Sequence, residues 1–282
     1  MILGAIYWLE KHRIVNLILV CVYAAFLLLA HDIFVDLSVM IMNTLSLAIY
    51  ERVVAGAIAL LGMLLVGTVV RVVRNEQLEL RFAGFFGATL FLLVAHFFVL
   101  TEMNIEFIHA IMYGVLGLLL FPLVGRFGGA VVLGLPLMLL DEWYQYVILF
   151  PHYVMHFELN DIVLDLLGAS LLISGIGMLG AKSSLKHQPI YMRLEVWFLA
   201  TASFATAALM YSCFLVPYSI DSCENTWLVL NKLPELREFW YVHPTIGSTF
   251  HILKPMEGFL LIVGLSIACL GMDFRSKKGK LD

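Results

Sequence analysis

Two stretches, Leu133–Phe150 (LGLPLMLLDEWYQYVILF) and Asn160–Gly177 (NDIVLDLLGASLLISGIG), decide how this chain is read. Each is apolar enough to sit in a lipid bilayer. Yet the first carries Asp141, Glu142 and Gln145, and the second carries Asn160, Asp161 and Asp165. A carboxylate at the centre of a membrane helix costs roughly 2.5–3.5 kcal/mol on insertion scales. Several together insert only if they face one another, a water-filled cavity or the interface, so by default they mark a functional site.

The rest of the chain has the same character. Its 282 residues are 62% hydrophobic and only 13% charged, with a mean hydropathy of +0.95, where soluble domains run nearer 25% charged. This is the composition of a polytopic membrane protein. Apolar runs long enough to span a bilayer fall near 14–30, 53–72, 82–100, 106–124, 128–149, 161–180, 195–216 and 256–272. The expected fold is therefore an all-α bundle of about eight spans. Stretch 31–52, with His31, Asp32 and Asp36, reads as a helix lying along the interface. No small-residue cleavage site follows the first apolar run, so no cleaved leader is expected.

Lys/Arg bias sets the orientation. With the N-terminus inside, the inner segments hold thirteen basic residues: Lys11, Arg13, Arg71, Arg74, Arg81, Arg126, Lys182, Lys186, Arg193, Arg275, Lys277, Lys278 and Lys280. The outer segments hold four, Arg52, Lys232, Arg237 and Lys254. Both termini are expected in the cytoplasm. The chain divides into residues 1–81, with two spans and the interfacial helix, a central unit at 82–180, and 181–282, with two spans and an outer segment at 217–255. That outer segment carries Trp227, Pro234, Trp240, Tyr241 and Pro244, and is expected to pack over the mouth of the bundle. Cys21 and Cys269 lie within spans as small apolar residues. Cys213 and Cys223 bracket the outer end of the seventh span, where a disulfide and two free thiols are both open readings.

Orientation gathers the polar residues. The span at 106–124 begins outside, so Glu106 and His109 lie in its first turns; His109, Tyr113 and Gly117 repeat at helical spacing on one face. Asp141, Glu142 and Gln145 lie in the outer half of the next span. Asp161, Asp165 and Gly168 form a stripe on the one after, with Gly168 small enough for close helix contact. The loop between them adds His152, His156 and Glu158, and His96 lies near the same level. Each has a plainer reading. A lone His96 or His109 is commonly a packing residue, Asp161 a first-turn acid with Asn160 as its cap, and Trp143, Tyr144 and Tyr146 an interfacial aromatic belt. Asp165 and Glu142 lie inside their spans, where function or a buried polar network that fixes helix packing is favoured over surface decoration.

His109-x3-Tyr113-x3-Gly117, Asp141-Glu142-x2-Gln145 and Asp161-x3-Asp165-x2-Gly168 together resemble the VanZ-like family of bacterial membrane proteins, over about residues 82–180. The resemblance implies a four-helix membrane unit and a cell-envelope setting. Two positions depart from it. Ile105 and Glu106 stand where the family usually has Asp-Lys, and the loop after Gln145 offers His152 and His156 but no Arg.

The leading expectation is a membrane protein that recognises or modifies a membrane lipid or a lipid-linked envelope substrate at the outer leaflet of a bacterial inner membrane. Glu142, Asp165, His109 and Tyr113 are the candidate catalytic groups. Asp141, Gln145, His152, His156 and Asp161 are the candidate substrate contacts. Histidine with Asp and Glu is also a donor set for zinc or another divalent metal, with Glu142, Asp161 and Asp165 as ligands, but no HExxH or similar ligand spacing is present, so metal and cofactor both stay open. A second expectation is a non-catalytic subunit bound to other membrane proteins. Transport ranks last, because polar steps in the inner leaflet are missing. No nucleic-acid partner is expected. The segment His251–Gly258 brings His251, Lys254 and Glu257 close to the last span: Lys254 at the interface and Pro255 opening a helix is one reading, a second wall of the site the other. His243 precedes it.

Overall fold

The computed structural model describes residues 2–29, 31–74, 79–152, 154–182, 188–232, 238–242 and 247–274. His243, Pro234, Pro244 and Arg237 lie outside them, as do the inner basic residues Lys186, Arg275, Lys277, Lys278 and Lys280.

The molecule is mostly helical. Helices α1 (Ile2–Lys11), α2 (Arg13–Leu29), α3 (His31–Leu45), α4 (Leu47–Arg74), α5 (Leu80–Val99), α6 (Ile108–Val124), α7 (Phe127–Val132), α8 (Leu135–Tyr144), α9 (Leu159–Met178), α10 (Leu194–Tyr211) and α11 (Pro255–Leu270) follow one another. Among the described residues, six helical stretches are long and apolar enough to cross a membrane: 80–99, 104–124, 127–149, 159–178, 194–211 and 255–273. They match the last six expected spans. The total rises to eight if each of two bent helix pairs counts as one span.

Those pairs depart from expectation. The chain starts with an extra helix, α1, which meets α2 at 109°; His12 at the corner stacks on Trp8 and bonds its carbonyl at 2.8 Å. The stretch 31–52 is not one helix. It breaks at Ser46, whose φ of 68° is left-handed, and the chain turns there by 120° from α3 into α4.

Helix α9 lies at the centre, with nearly every side chain buried. Its closest partner is α6. A Cβ on Gly168 would fall 2.1 Å from the Ala110 carbonyl oxygen, and one on Gly114 2.8 Å from Leu172, so the two backbones meet directly. Helix α6 ends on Gly125 at φ 67°, whose N–H bonds Phe121. Pro255 opens α11 and Glu257 accepts the Lys254 N–H at 3.0 Å, as the helix-start reading has it. Outward faces stay apolar: Phe91, Phe98 and Phe204 are each more than 70% exposed, which is expected of lipid-facing side chains.

The ends of the helices gather in two groups. In one, Arg81 donates to the Phe274 carbonyl, Asp273 accepts the N–H groups of Gly128 and Gly129 at 3.2 and 3.1 Å, and Arg126 grips Glu195 through two bonds of 2.6 and 2.7 Å. In the other, Asn160 ties three segments together: it donates to the carbonyls of Leu100 and His251 and accepts the Leu253 N–H. Asn160 is thus a cross-link inside α9 and not its cap. Helix α5 runs from one group to the other, roughly 30 Å at 1.5 Å per residue.

The fold is not purely α-helical, which corrects the all-α expectation. Strands β1 (Leu215–Tyr218) and β2 (Leu228–Asn231) pair in parallel, and β3 (Tyr241–Val242) pairs antiparallel with β4 (Thr249–Phe250). The segment after α10 has left the apolar helix and needs partners for its backbone. It finds them in the loop before α9: Phe157 N–H bonds Leu230, Lys232 N–H bonds Met155, and His156 bridges Asn231. Leu228 and Leu230 pack on the bundle core. The expected cover over one end of the bundle is therefore built as a small β-structure.

Candidate functional site

The span at 127–149 sets up the site by being broken. Gly134 and Pro136 interrupt it between α7 and α8, and after Tyr144 the helix widens into a π-turn, Gln145–Leu149, closed by the Phe150 N–H on Gln145 at 2.9 Å. Such widenings recur at functional sites because they re-aim side chains. Directly before this one, Asp141 and Glu142 point inward and are buried.

Across from them, α6 and α9 present their polar faces. His109 lies between two acids: its Nδ1 is 3.3 Å from Asp165 Oδ1, and its Nε2 is 3.8 Å from Asp161 Oδ2. The Tyr113 hydroxyl donates to Asp141 Oδ2 at 2.8 Å. The Gln145 amide donates to Glu142 Oε1 at 3.3 Å. One ligating atom each from His109, Glu142 and Asp161 lies within 4.8 Å of the others. Seven side chains from three helical stretches thus form one buried cluster. Its hydrogen bonding is incomplete: among the described residues, Asp141 Oδ1, Glu142 Oε2 and both Asp165 oxygens have no hydrogen-bond partner within the usual geometry. Unpaired buried carboxylate oxygens cost several kcal/mol, so such an arrangement needs a reason.

A second group of acids stands outside the spans, beside Asp161. Glu102, in the turn after α5, has its pKa pushed up to about 7 by burial and by the nearby carboxylates of Glu158 and Asp161, against the opposing effect of His156. His156 forms an ion pair with Glu158 at 3.1 Å. Burial alone would lower the His156 pKa, but Glu158, Glu102 and Asp161 outweigh it and leave it raised. Acids thus run from this turn and loop inward to Asp161 and then His109.

Of the residues singled out from the sequence, His109, Tyr113, Asp141, Glu142, Gln145, Asp161 and Asp165 come together. His156 stands beside Asp161 with its Glu158 partner. His152 is exposed on the loop and stays out of the cluster. His96 takes its packing role, with Nε2 2.9 Å from the Asn160 carbonyl. His251 bonds Glu257 at 3.2 Å and the Phe239 carbonyl at 2.6 Å, and stacks on the Phe239 ring; these contacts fix the start of α11. Tyr146 is not a belt residue: it is buried, its hydroxyl donates to the Val229 carbonyl at 2.7 Å, and Lys232 sits 4.1 Å over its ring. Cys213 and Cys223 are free thiols, and the Cys223 pKa is raised first by its hydrogen bond with Cys213.

Sequence reasoning missed two members. His31, at the start of α3, lies edge-on to the His109 ring, 5.9 Å between centroids. A histidine directly after the first apolar run was the available signal, but it was absorbed into the interfacial helix. Glu102, in the turn between α5 and α6, carries no periodic signal in the sequence that would group it with Asp161.

No protein-family model, curated protein or solved structure matches the chain.

Proposed function

We propose that this multi-pass membrane protein binds, and acts on, a membrane lipid or lipid-linked envelope substrate at the outer leaflet of a bacterial inner membrane, as the resemblance to VanZ-like proteins implies. The observation that carries the reading is the convergence of His109, Tyr113, Asp141, Glu142, Asp161 and Asp165 into one buried, incompletely bonded cluster. Glu142 is the general base, Asp165 orients His109, and the Tyr113 hydroxyl, held by Asp141, supplies a proton. Gln145, Asp161 and His156 contact the polar part of the substrate. Its apolar tails stay in the bilayer, along helix faces that are already apolar.

The basic-residue asymmetry and the gathering of helix ends into two groups support a topology of eight spans with both termini in the cytoplasm. That topology puts the cluster and its β-cover on the outer side.

The test is lipid co-purification. Protein extracted in mild detergent is expected to retain a defined lipid-linked species above its bulk abundance, and Glu142→Gln or Asp165→Asn to retain about tenfold less, the effect of roughly 1.4 kcal/mol. A wild-type protein carrying only the bulk lipid mixture overturns the reading. The alternative, a non-catalytic subunit of a larger membrane assembly, demands instead a stoichiometric partner chain and full cellular function in Glu142→Gln.

A further inference from the structure

The orphaned carboxylate oxygens point to a cation. Four acids, Asp141, Glu142, Asp161 and Asp165, are buried around one histidine. Tyr113 serves Asp141 and Gln145 serves Glu142, but among the described residues Glu142 Oε2 and both Asp165 oxygens remain without a hydrogen bond. The two nitrogens of His109 face different acids. Nδ1 lies 3.3 Å from Asp165, while Nε2 lies 3.8 Å from Asp161. The second distance is too long for a hydrogen bond. It is close to the spacing of two ligands on one metal, roughly 3.4 Å for tetrahedral bonds of about 2.1 Å. Glu142 completes the triangle: one ligating atom from each of His109, Glu142 and Asp161 falls within 4.8 Å of the other two.

We propose that His109 Nε2, Glu142 and Asp161 bind a first-row divalent cation, zinc or manganese, with Asp165 as the carboxylate that orients His109 from behind; with the cation bound, Glu142 and Asp161 serve as its ligands in place of the base and substrate-contact roles given above. Metal-bound histidines generally present their other ring nitrogen to a carboxylate, which fixes the tautomer and raises ligand basicity. Asp165, with Oδ1 3.3 Å from His109 Nδ1, stands where that carboxylate is required. The mixed nitrogen and carboxylate donor set suits zinc or manganese better than calcium, which takes six to eight oxygens. A divalent charge also offsets Glu142 and Asp161 together, which one histidine cannot do. Three protein ligands leave a coordination position for water or for an oxygen of a substrate headgroup.

This inference rests on the reading above only for the role of the pocket, since metal binding is measured without any substrate. Protein purified in mild detergent without chelator and titrated with Co²⁺ is expected to bind one ion per chain, with visible d–d bands of a four- or five-coordinate site, displaced by Zn²⁺. Glu142→Gln and Asp161→Asn are expected to weaken binding at least about 100-fold, and Asp165→Asn by 10–100-fold, the usual range for a supporting carboxylate. His12→Ala, in the corner between α1 and α2, is expected to bind as wild type. Should the variants fail to fold, the wild-type protein still decides: Zn²⁺ or Mn²⁺ raises its unfolding temperature and Mg²⁺ does not. Absence of a one-to-one Co²⁺ complex in wild type, or unchanged binding in both Glu142→Gln and Asp161→Asn, overturns the proposal. Lipid co-purification that persists without metal binding would leave the substrate reading standing, and the reverse outcome would leave the metal site standing.

Discussion

Buried charge dominates at the scale of single residues, and its sign predicts behaviour. Glu195 at the start of α10 is fully buried and answered by the two-point grip of Arg126. Removing one partner of a buried pair typically costs 3–5 kcal/mol, because the other charge is stranded, while replacing both is often neutral. Arg126→Ala is therefore expected to destabilise the protein by about that amount, and Arg126→Met combined with Glu195→Leu to recover most of the loss, both read from thermal unfolding in detergent. Glu102 makes a pH prediction. Its folded pKa of about 7 lies above the ordinary 4.5, so the folded state holds a proton that the unfolded state has released. Stability from this group is present below about pH 4.5 and lost as pH rises to about 7. His156 acts in the same direction: its raised pKa gives stability present below 6.5 and lost as pH climbs through the folded value. The unfolding temperature is expected to fall between pH 5 and pH 8. Glu102→Gln should flatten that fall and exceed wild type at pH 8, and an equal slope in the two proteins would refute the assignment.

At the scale of elements, the α6–α9 contact is the joint on which the site depends. It brings His109 and Tyr113 against Asp161 and Asp165, and Gly168 makes it close. Gly168→Ala sets a methyl 2.1 Å from the Ala110 carbonyl oxygen. That is backbone, which cannot rotate away, so the helices must part. A loss beyond the usual 1–3 kcal/mol of overpacking is expected. Gly264→Ala on α11, with nothing within 4 Å, is the control and should be neutral or gain up to about 1 kcal/mol of helix propensity. This joint was legible in the sequence because helical periodicity alone puts His109 with Tyr113, and Asp161 with Asp165 and Gly168, on single faces. Other features were not legible, for physical reasons. Ser46 adopts a left-handed conformation that a glycine or asparagine would have advertised. Asn160 has the residue type and position of a cap, but its partners Leu100, His251 and Leu253 are brought to it by tertiary packing. The strand pairing of His156 with Asn231 joins distant segments, neither of which alternates long enough to read as a strand.

At the scale of the whole molecule, the chain builds a sided object. One group of helix ends carries Arg81, Arg126 and Arg193, and the other carries the β-cover and the acids that lead inward from Glu102 and His156. An apolar core runs continuously through α1, α2, α5–α9 and α11, so the cover, the acidic approach and the buried cluster share one scaffold. If the sidedness follows the basic residues, the exposed loop position 152 faces the outer side of the membrane and the exposed position 182 faces the cytoplasm. Cysteine scanning measures this directly. In a background with the four native cysteines changed to serine, His152→Cys is expected to react with a membrane-impermeant maleimide on intact spheroplasts, and Lys182→Cys only after the membrane is opened. The opposite pattern would put the cluster at the cytoplasmic leaflet, and would move any lipid substrate to that side of the membrane with it.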